Sequence, residues 1–146
     1  LRKSARAVLL NSEGEMAVQF LGRDNFHKLP GGGVDAGEGV HDALAREIRE
    51  EVGCELAIIQ PLGMVIEFRN EYKLLHISYG FAARVVGEIG TPVLEQAEID
   101  EQMVTKWMSP KDVLAQMESE NPEQYNGKFI TAREREFLRE FLSQNH

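Results

Sequence analysis

The stretch PGGGVDAGEGVHDALAREIREEVGCEL, residues 30–56, is the most informative part of the chain because it gathers like charges around one short helix. Apolar residues recur at helical spacing through residues 39–52, which predicts an amphipathic helix there. On this helix Glu47, Glu50 and Glu51 fall within an arc of about 100°, beside the apolar stripe. Like charges at these spacings destabilise a helix by ~0.2–0.5 kcal/mol per pair, so their accumulation needs a reason.

Two explanations are open for the three carboxylates, and they differ in whether water or metal ions surround the oxygens. In the first, they form a solvated face of the helix. In the second, they bind hard divalent cations, for which carboxylate oxygens are natural ligands. The glycines of residues 31–33 fit the second explanation, because glycine permits backbone geometry closed to other residues and lets carbonyl oxygens approach a ligand or metal. The helix by itself leaves both explanations open.

The spacing of residues 32–54 resembles the signature of the Nudix hydrolases, and we call this range the Nudix box. In that signature Gly, five residues, Glu, seven residues and Arg-Glu-aliphatic-x-Glu-Glu-x-Gly-aliphatic form one loop–helix–loop. Seven coincidences at fixed spacing have odds on the order of 10⁻⁷ per start position. One departure is Cys54 at the last aliphatic position, where a small thiol is a mild substitute. The seven fixed letters are matched by Gly32, Glu38, Arg46, Glu47, Glu50, Glu51 and Gly53, and Ile48 occupies the aliphatic position.

The resemblance implies roles for these residues. It makes Glu50 and Glu51 principal metal ligands and adds the Gly31 carbonyl oxygen to the metal shell. It also implies that Arg46 orients Glu47, and that Glu47 either ligates metal or acts as the general base. Supporting structural roles in the box fall to Gly32, Glu38 and Gly53.

A general base outside the helix is also implied by the resemblance. In some Nudix hydrolases the base is a Glu on a later loop, some six residues before a Trp. Glu101 precedes Trp107 at that separation, and Glu98 is close by. We expect Glu101 ahead of Glu98, although both also read as ordinary acidic loop residues.

The reaction implied by the resemblance is hydrolysis of a diphosphate linkage in a nucleoside diphosphate derivative. The substrate class includes nucleoside triphosphates, nucleotide sugars and dinucleoside polyphosphates. Bound Mg²⁺ or Mn²⁺ would neutralise the phosphate oxygens and lower the pKa of a coordinated water. A carboxylate would then accept the proton of the attacking water. The expected partner is therefore a small nucleotide-derived substrate.

Substrate contacts are less well defined by the sequence. Lys28 precedes the glycine turn and is a phosphate-contact candidate. Other side chains have the chemistry to stack on a base or contact a phosphate, although alternating strand residues equally face a core. Tyr72 lies 18 residues past the box and is similar in position to a Tyr of Nudix members that cleave diadenosine polyphosphates. The remaining candidates are Phe26, Arg69, His76 and Tyr79.

The predicted elements favour an α/β fold of the α+β type, a Nudix-like mixed sheet sandwiched between helices. We expect residues 1–146 to form a single domain. We expect the polar segment 22–28 and the LPGGGV segment to be irregular, and residues 88–101 to be an acidic loop. The predicted strands are 4–10, 15–21, 55–69, 73–87 and 102–108. Two helices are predicted after the box: Ser109-Pro110 begins the first, and Thr131 precedes the second. The apolar stripe of the last helix is Phe137, Leu138, Phe141 and Leu142.

The overall composition excludes some classes of protein. A net charge of −8 argues against binding a nucleic acid polymer, which requires a basic surface. No apolar run approaches ~20 residues, so no membrane span is expected, and the short apolar start does not resemble a signal peptide. Cys54 is the only cysteine, which fits a reducing, cytoplasmic setting. The sequence leaves monomer and homodimer open.

Two alternatives to a hydrolase share its fold. A catalytically silent nucleotide-sensing module would retain the fold, but the box has lost none of its carboxylates. A prenyl diphosphate isomerase would use a catalytic cysteine, and Cys54 at the end of the box helix is poorly placed for that role.

Overall fold

The computed structural model describes residues 1–69, 73–120 and 125–144, without the side chains of residues 69, 125–129 and 131. No helix in these described ranges is long and apolar enough to cross a membrane. In chain order the elements are β1 (Arg2–Leu10), β2 (Met16–Leu21), β3 (Phe26–Lys28), β4 (Gly31–Gly33), α1 (Val40–Glu51), β5 (Glu55–Arg69), β6 (Leu74–Val86), α2 (Gln96–Asp100), β7 (Met103–Met108), α3 (Pro110–Ser119) and α4 (Tyr125–Gln144).

The strands form one mixed sheet with the order β3-β2-β1-β6-β5. β1 and β6 are parallel, whereas β4 pairs antiparallel with β1 and β7 pairs antiparallel with β2. The edge strand β5 shifts register twice, between Ile58 and Gln60 and between Pro61 and Gly63. Proline lacks a backbone N–H, so it is tolerated at such an irregular edge position. The central strand β1 lies beside β4 and α1, which carry the Nudix box.

Helix α1 packs on one face of the sheet through its apolar stripe. Leu44 and Ile48 are fully buried against β-strand residues such as Ala7 and Phe81. Burying one such side chain contributes about 1.5–3 kcal/mol, which exceeds the repulsion of a like-charge pair on the helix. The helix ends at Glu51 with Val52 as its C-cap, and Gly53 follows with a positive φ of 82°, which suits the residue after a C-cap. Packing therefore determines the orientation of α1 and holds its glutamates beside the sheet.

Helices α3 and α4 cover the opposite face of the sheet. Val113 and Met117 of α3 lie in one core cluster with Phe137, Leu138 and other residues of α4. The predicted apolar stripe of α4 is buried in this cluster. The predicted mixed sheet between helices is thereby confirmed.

Several predicted elements agree with the structure. The expected strands correspond to β1, β2, β5, β6 and β7, and the expected box helix corresponds to α1. Helix α3 starts as predicted, since the Ser109 hydroxyl accepts a hydrogen bond from the Asp112 backbone N–H at 3.2 Å and Pro110 follows the cap.

Two short strands correct the prediction of irregular structure before the box. Phe26–Lys28 forms β3 against β2, and Gly31–Gly33 forms β4 against β1. A glycine-rich segment pairs here because its missing side chains allow close approach to β1. At Gly31, φ is 137° and a Cβ would overlap the carbonyl group of Ala5.

Two helices also differ from the prediction. Residues Gln96–Asp100 of the expected acidic loop form α2, which starts with a capping box between Glu95 and Glu98. Helix α4 begins at Tyr125, so Thr131 lies inside it and does not precede it. The cap preference of threonine was outweighed by the continuing helix.

Gly80 of β6 is a test of the packing between the sheet and α4. A Cβ at Gly80 would overlap the ring of Phe137. We expect Gly80→Ala to lower the free energy of unfolding by roughly 1–3 kcal/mol, because overpacking forces the ring or backbone to shift. Urea denaturation measures the loss. In the double variant Gly80→Ala/Phe137→Leu the loss should be smaller than the sum of the two single losses, and additive losses would show that this contact does not limit the packing.

Candidate active site

The end of helix α1 is joined to strand β4 by a buried carboxylate. The Gly31 backbone N–H donates a hydrogen bond of 2.9 Å to Oε1 of Glu51, whose side chain is 1% exposed. Within the described residues, the Glu51 Oε2 atom has no hydrogen-bond partner. Burial raises the pKa of Glu51 to about 8, against the opposing effects of Lys28, Arg6 and the Gly31 N–H. A buried carboxylate with one unpaired oxygen is suited to receive a cation.

Arg46 ties the loop before α1 to the helix itself. Its Nε and Nη2 atoms each donate a 2.9 Å hydrogen bond to Glu38, and Nη2 also reaches the Gly33 carbonyl at 3.0 Å. Its Nη1 atom donates to Glu47 Oε1 at 3.0 Å. The hydrogen bonds from Arg46 and from the Asp35 backbone N–H lower the pKa of Glu38 to about 2. This one guanidinium therefore fixes both the loop and the Glu47 side chain.

Glu47 lies directly against the glycine turn. A Cβ at Gly32 would be 2.5 Å from the carboxylate carbon of Glu47, so the position admits no larger side chain without moving the glutamate. Burial raises the pKa of Glu47, Arg46 lowers it, and the charges of Glu50 and Glu98 add to the increase. The glycine thus makes room for a carboxylate whose charge is disfavoured by its surroundings.

Three carboxylates converge at this point. Glu47, Glu51 and Glu98 each offer an oxygen, and these oxygens lie within 4.8 Å of one another. Glu47 and Glu51 come from α1, and Glu98 comes from the short helix α2. Oxygen donors so close together repel one another unless a cation lies between them, and hard divalent ions such as Mg²⁺ and Mn²⁺ prefer such donors. The donor set fits a divalent metal.

Comparison with known proteins identifies the family. The NUDIX domain family model matches residues 1–128. This chain belongs to the Nudix family. An RNA pyrophosphohydrolase of Campylobacter jejuni is 32% identical over 90 residues, which cover 58% of this chain and 51% of that protein. A curated relative from Caenorhabditis elegans is 25% identical over 117 residues, 76% of this chain and 30% of that protein. The chain thus spans about half or less of these relatives.

Solved structures of Nudix proteins share the fold. The MutT protein of Methanosarcina mazei Go1 superposes with a TM-score of 0.68 at 21% identity, covering 99% of this chain and 94% of that one. A Nudix hydrolase of Nitrosomonas europaea superposes with a TM-score of 0.72 at 15% identity, covering 99% and 90%. Such identities show the fold alone. The predicted family and fold class are confirmed.

Two other predicted carboxylates, Glu50 and Glu101, lie apart from the converging trio. Glu50 lies outside the converging trio in the described structure, with its Oε2 3.7 Å from Arg46 Nη1 and its side chain 32% exposed. The converging glutamate from the later segment is Glu98, whereas Glu101 lies past α2 as its C-cap. Of the two candidate bases, Glu98 is the one that lies with Glu47 and Glu51. The choice of base itself stays a prediction.

The Gly31 carbonyl oxygen also has a partner that was not predicted. It accepts a 2.8 Å hydrogen bond from Arg6 Nη1. Arg6 is a charged residue in the buried centre of β1, within the sequence SARAVLL. The sequence did carry a signal for this contact. Arg6 stands among apolar strand residues that predict burial, and a buried charge is almost always paired.

The structure places the predicted substrate-contact residues in different surroundings. Lys28 of β3 is near enough to Glu51 to lower its pKa. Phe26 is buried, and Tyr79 packs at the edge of the α1 core cluster. His76 is buried and its Nε2 lies 3.1 Å from the Ser4 hydroxyl oxygen. Tyr72 and the side chain of Arg69 lie outside the described residues.

The buried charge of Glu51 gives a prediction for the protein stripped of metal. Glu51 keeps its proton in the folded state up to about pH 8, whereas an ordinary Glu loses it near pH ~4.3 on unfolding. The stability contributed by this proton therefore falls as pH rises between these values. We expect Glu51→Gln to gain stability relative to the parent, by about 1–3 kcal/mol at pH 9 and much less at pH 5.

Chemical denaturation in a chelating buffer at pH 5, 7 and 9 measures this difference. Glu88→Gln, at an exposed position, is the matched control and should show no comparable trend. A Glu51→Gln effect that is the same at all three pH values would contradict the assignment.

Proposed function

We propose that this chain is a metal-dependent pyrophosphohydrolase that cleaves a diphosphate linkage in a nucleotide-derived substrate. The observation that carries the proposal is the convergence of Glu47, Glu51 and Glu98 within 4.8 Å. These three residues would hold Mg²⁺ or Mn²⁺, with Glu50 and the Gly31 carbonyl as further candidate ligands. The bound ion would neutralise phosphate oxygens and activate water.

The relatives support the reaction class. The Campylobacter jejuni relative is named an RNA pyrophosphohydrolase, and a structural neighbour from Streptococcus suis is named an ADP-ribose pyrophosphatase. Both names describe cleavage of a diphosphate linkage. The proposed substrates are small nucleoside diphosphate derivatives, that is nucleoside triphosphates, nucleotide sugars or dinucleoside polyphosphates, because a net charge of −8 disfavours a long nucleic acid.

The residues around the trio have distinct proposed tasks. Arg46 engages one oxygen of Glu47 at 3.0 Å and fixes the carboxylate in place. Glu47 has two alternative tasks, either to hold the metal with Glu51 and Glu98 or to accept the proton of the attacking water. Burial raises the pKa of Glu47, which favours the second task where the carboxylate is not bound to metal. Lys28 supplies a positive charge for the phosphate groups. The water oxygen forms a bond to phosphorus as the anhydride P–O bond breaks, and the phosphate or nucleotide leaves.

The alternatives have less support. A cysteine-dependent isomerase needs an accessible thiolate, but Cys54 is buried and its burial raises the pKa of the thiol. Loss of a box carboxylate would favour a silent sensor, and the box has lost none. We also propose that residues 1–146 act as one domain in the cytoplasm, because the described strands share one sheet and Cys54 is a free thiol.

Hydrolysis of a nucleotide panel tests the proposal. Phosphate and pyrophosphate release are measured with Mg²⁺ or Mn²⁺ for nucleoside triphosphates, ADP-ribose, nucleotide sugars, dinucleoside polyphosphates and a short 5′-triphosphate RNA. We expect metal-dependent turnover of at least one small nucleotide. Glu98→Gln should lower turnover by about 10²-fold or more, because it removes one converging carboxylate.

Glu101→Gln is the matched control, since it makes the same change three residues away at the end of α2. It should retain turnover within about threefold, as expected for a residue outside the trio. Equal losses in both variants would overturn the choice of Glu98. Saturable nucleotide binding without turnover by the parent would favour the sensor.

A further inference from the structure

Arg6 of β1 contacts the glycine turn beside Glu51. Its side chain is buried in β1, and its Nη1 atom donates to the Gly31 carbonyl at 2.8 Å and to the Leu29 carbonyl at 3.4 Å. Arg6 also acts on Glu51 electrostatically. The same guanidinium therefore donates a hydrogen bond to a carbonyl of the glycine turn and brings a positive charge close to Glu51.

A second carboxylate lies on the other side of Arg6. Glu134 of α4 is 0% exposed, and its Oε1 is 3.7 Å from Arg6 Nε and 3.5 Å from Arg133 Nη2. These distances exceed those of hydrogen bonds. Among the described residues, no donor is hydrogen-bonded to either oxygen of Glu134, and Arg6 Nε has no acceptor. A buried carboxylate without hydrogen bonds is costly, so Glu134 retains capacity to accept one.

We propose that Arg6 is a resident counter-cation that competes with the divalent metal, and that Glu134 accepts Arg6 when the metal binds. The inference rests on the metal site of the proposed function. Without metal, Arg6 donates to the Gly31 carbonyl, and its charge favours ionisation of Glu51. A divalent ion among the trio repels the nearby guanidinium and competes for that carbonyl. Arg6 then gives up its hydrogen bond to the Gly31 carbonyl and donates to Glu134, whose Oε1 is 3.7 Å from Arg6 Nε.

This role predicts changes of metal affinity in opposite directions. Removing the charge of Arg6 removes the competitor, so the metal should bind more tightly. Removing the charge of Glu134 removes the alternative partner, so Arg6 stays on the Gly31 carbonyl and the metal should bind more weakly. A merely structural role for Arg6, in which it only braces the glycine turn, predicts weaker binding when Arg6 is lost.

Direct binding of Mn²⁺ to the full chain tests the proposal without measuring turnover. The free Mn²⁺ signal in electron paramagnetic resonance is followed during titration of chelator-treated parent, Arg6→Gln and Glu134→Gln. We expect the Kd to fall about fivefold in Arg6→Gln and to rise about fivefold in Glu134→Gln, which is typical of coupling between neighbouring sites. In the double variant the Kd should follow Arg6→Gln, since Glu134 acts only through Arg6.

Arg6→Lys is the matched control, because it keeps the positive charge but loses the several N–H donors of the guanidinium. Its Kd should remain closer to that of the parent than the Kd of Arg6→Gln. Weaker binding in Arg6→Gln, or an unchanged Kd in Glu134→Gln, overturns the proposal. If Arg6→Gln does not fold, the Kd of Glu134→Gln for Mn²⁺ still tests the proposal. Absence of Mn²⁺ binding by the parent overturns the metal site itself, whereas binding that is insensitive to these variants overturns only the role of Arg6.

Discussion

The hydrogen bond from the Gly31 backbone N–H to the buried Glu51 carboxylate is the constraint on which the site depends. It joins the last turn of α1 to β4, and β4 is held against the central strand β1. A carboxylate is removed from water at this point, and its raised pKa reflects the cost of burying the charge. The fold tolerates that cost because α1 is held on the sheet by Leu44 and Ile48. Burial of each of these side chains contributes about 1.5–3 kcal/mol, which offsets the local electrostatic penalty.

The gathering of glutamates on α1 is explained by the cations around it. Arg46 hydrogen-bonds to both Glu38 and Glu47 from inside the same loop–helix unit. Arg6 and Lys28 act on Glu51 from two different strands. The three cations offset only part of the negative charge, since Glu47 and Glu51 still have raised pKa values. A divalent ion would complete the balance, which is the physical basis of the proposed chemistry.

Sequence patterns predicted the local structure well where each residue's preference agreed with its packing. The box helix, its end before Gly53 and the Ser109 cap of α3 are examples, because each depends on residues within one or two turns. The pattern failed where distant partners decided the outcome. The segment Gly31–Gly33 became a strand because β1 supplies its partner, and Thr131 lies inside α4, whose helix starts earlier at Tyr125.

The sequence by itself determined the family, the box helix and the box glutamates proposed for the site, because the spacing of the box is a local property of the chain. Tertiary structure decided which carboxylates converge. It brought Glu98 to Glu47 and Glu51 and left Glu101 outside. It also placed Arg6 between Gly31 and Glu134. These contacts join residues more than 20 positions apart, and only the packing of the sheet between its helices fixes such distances.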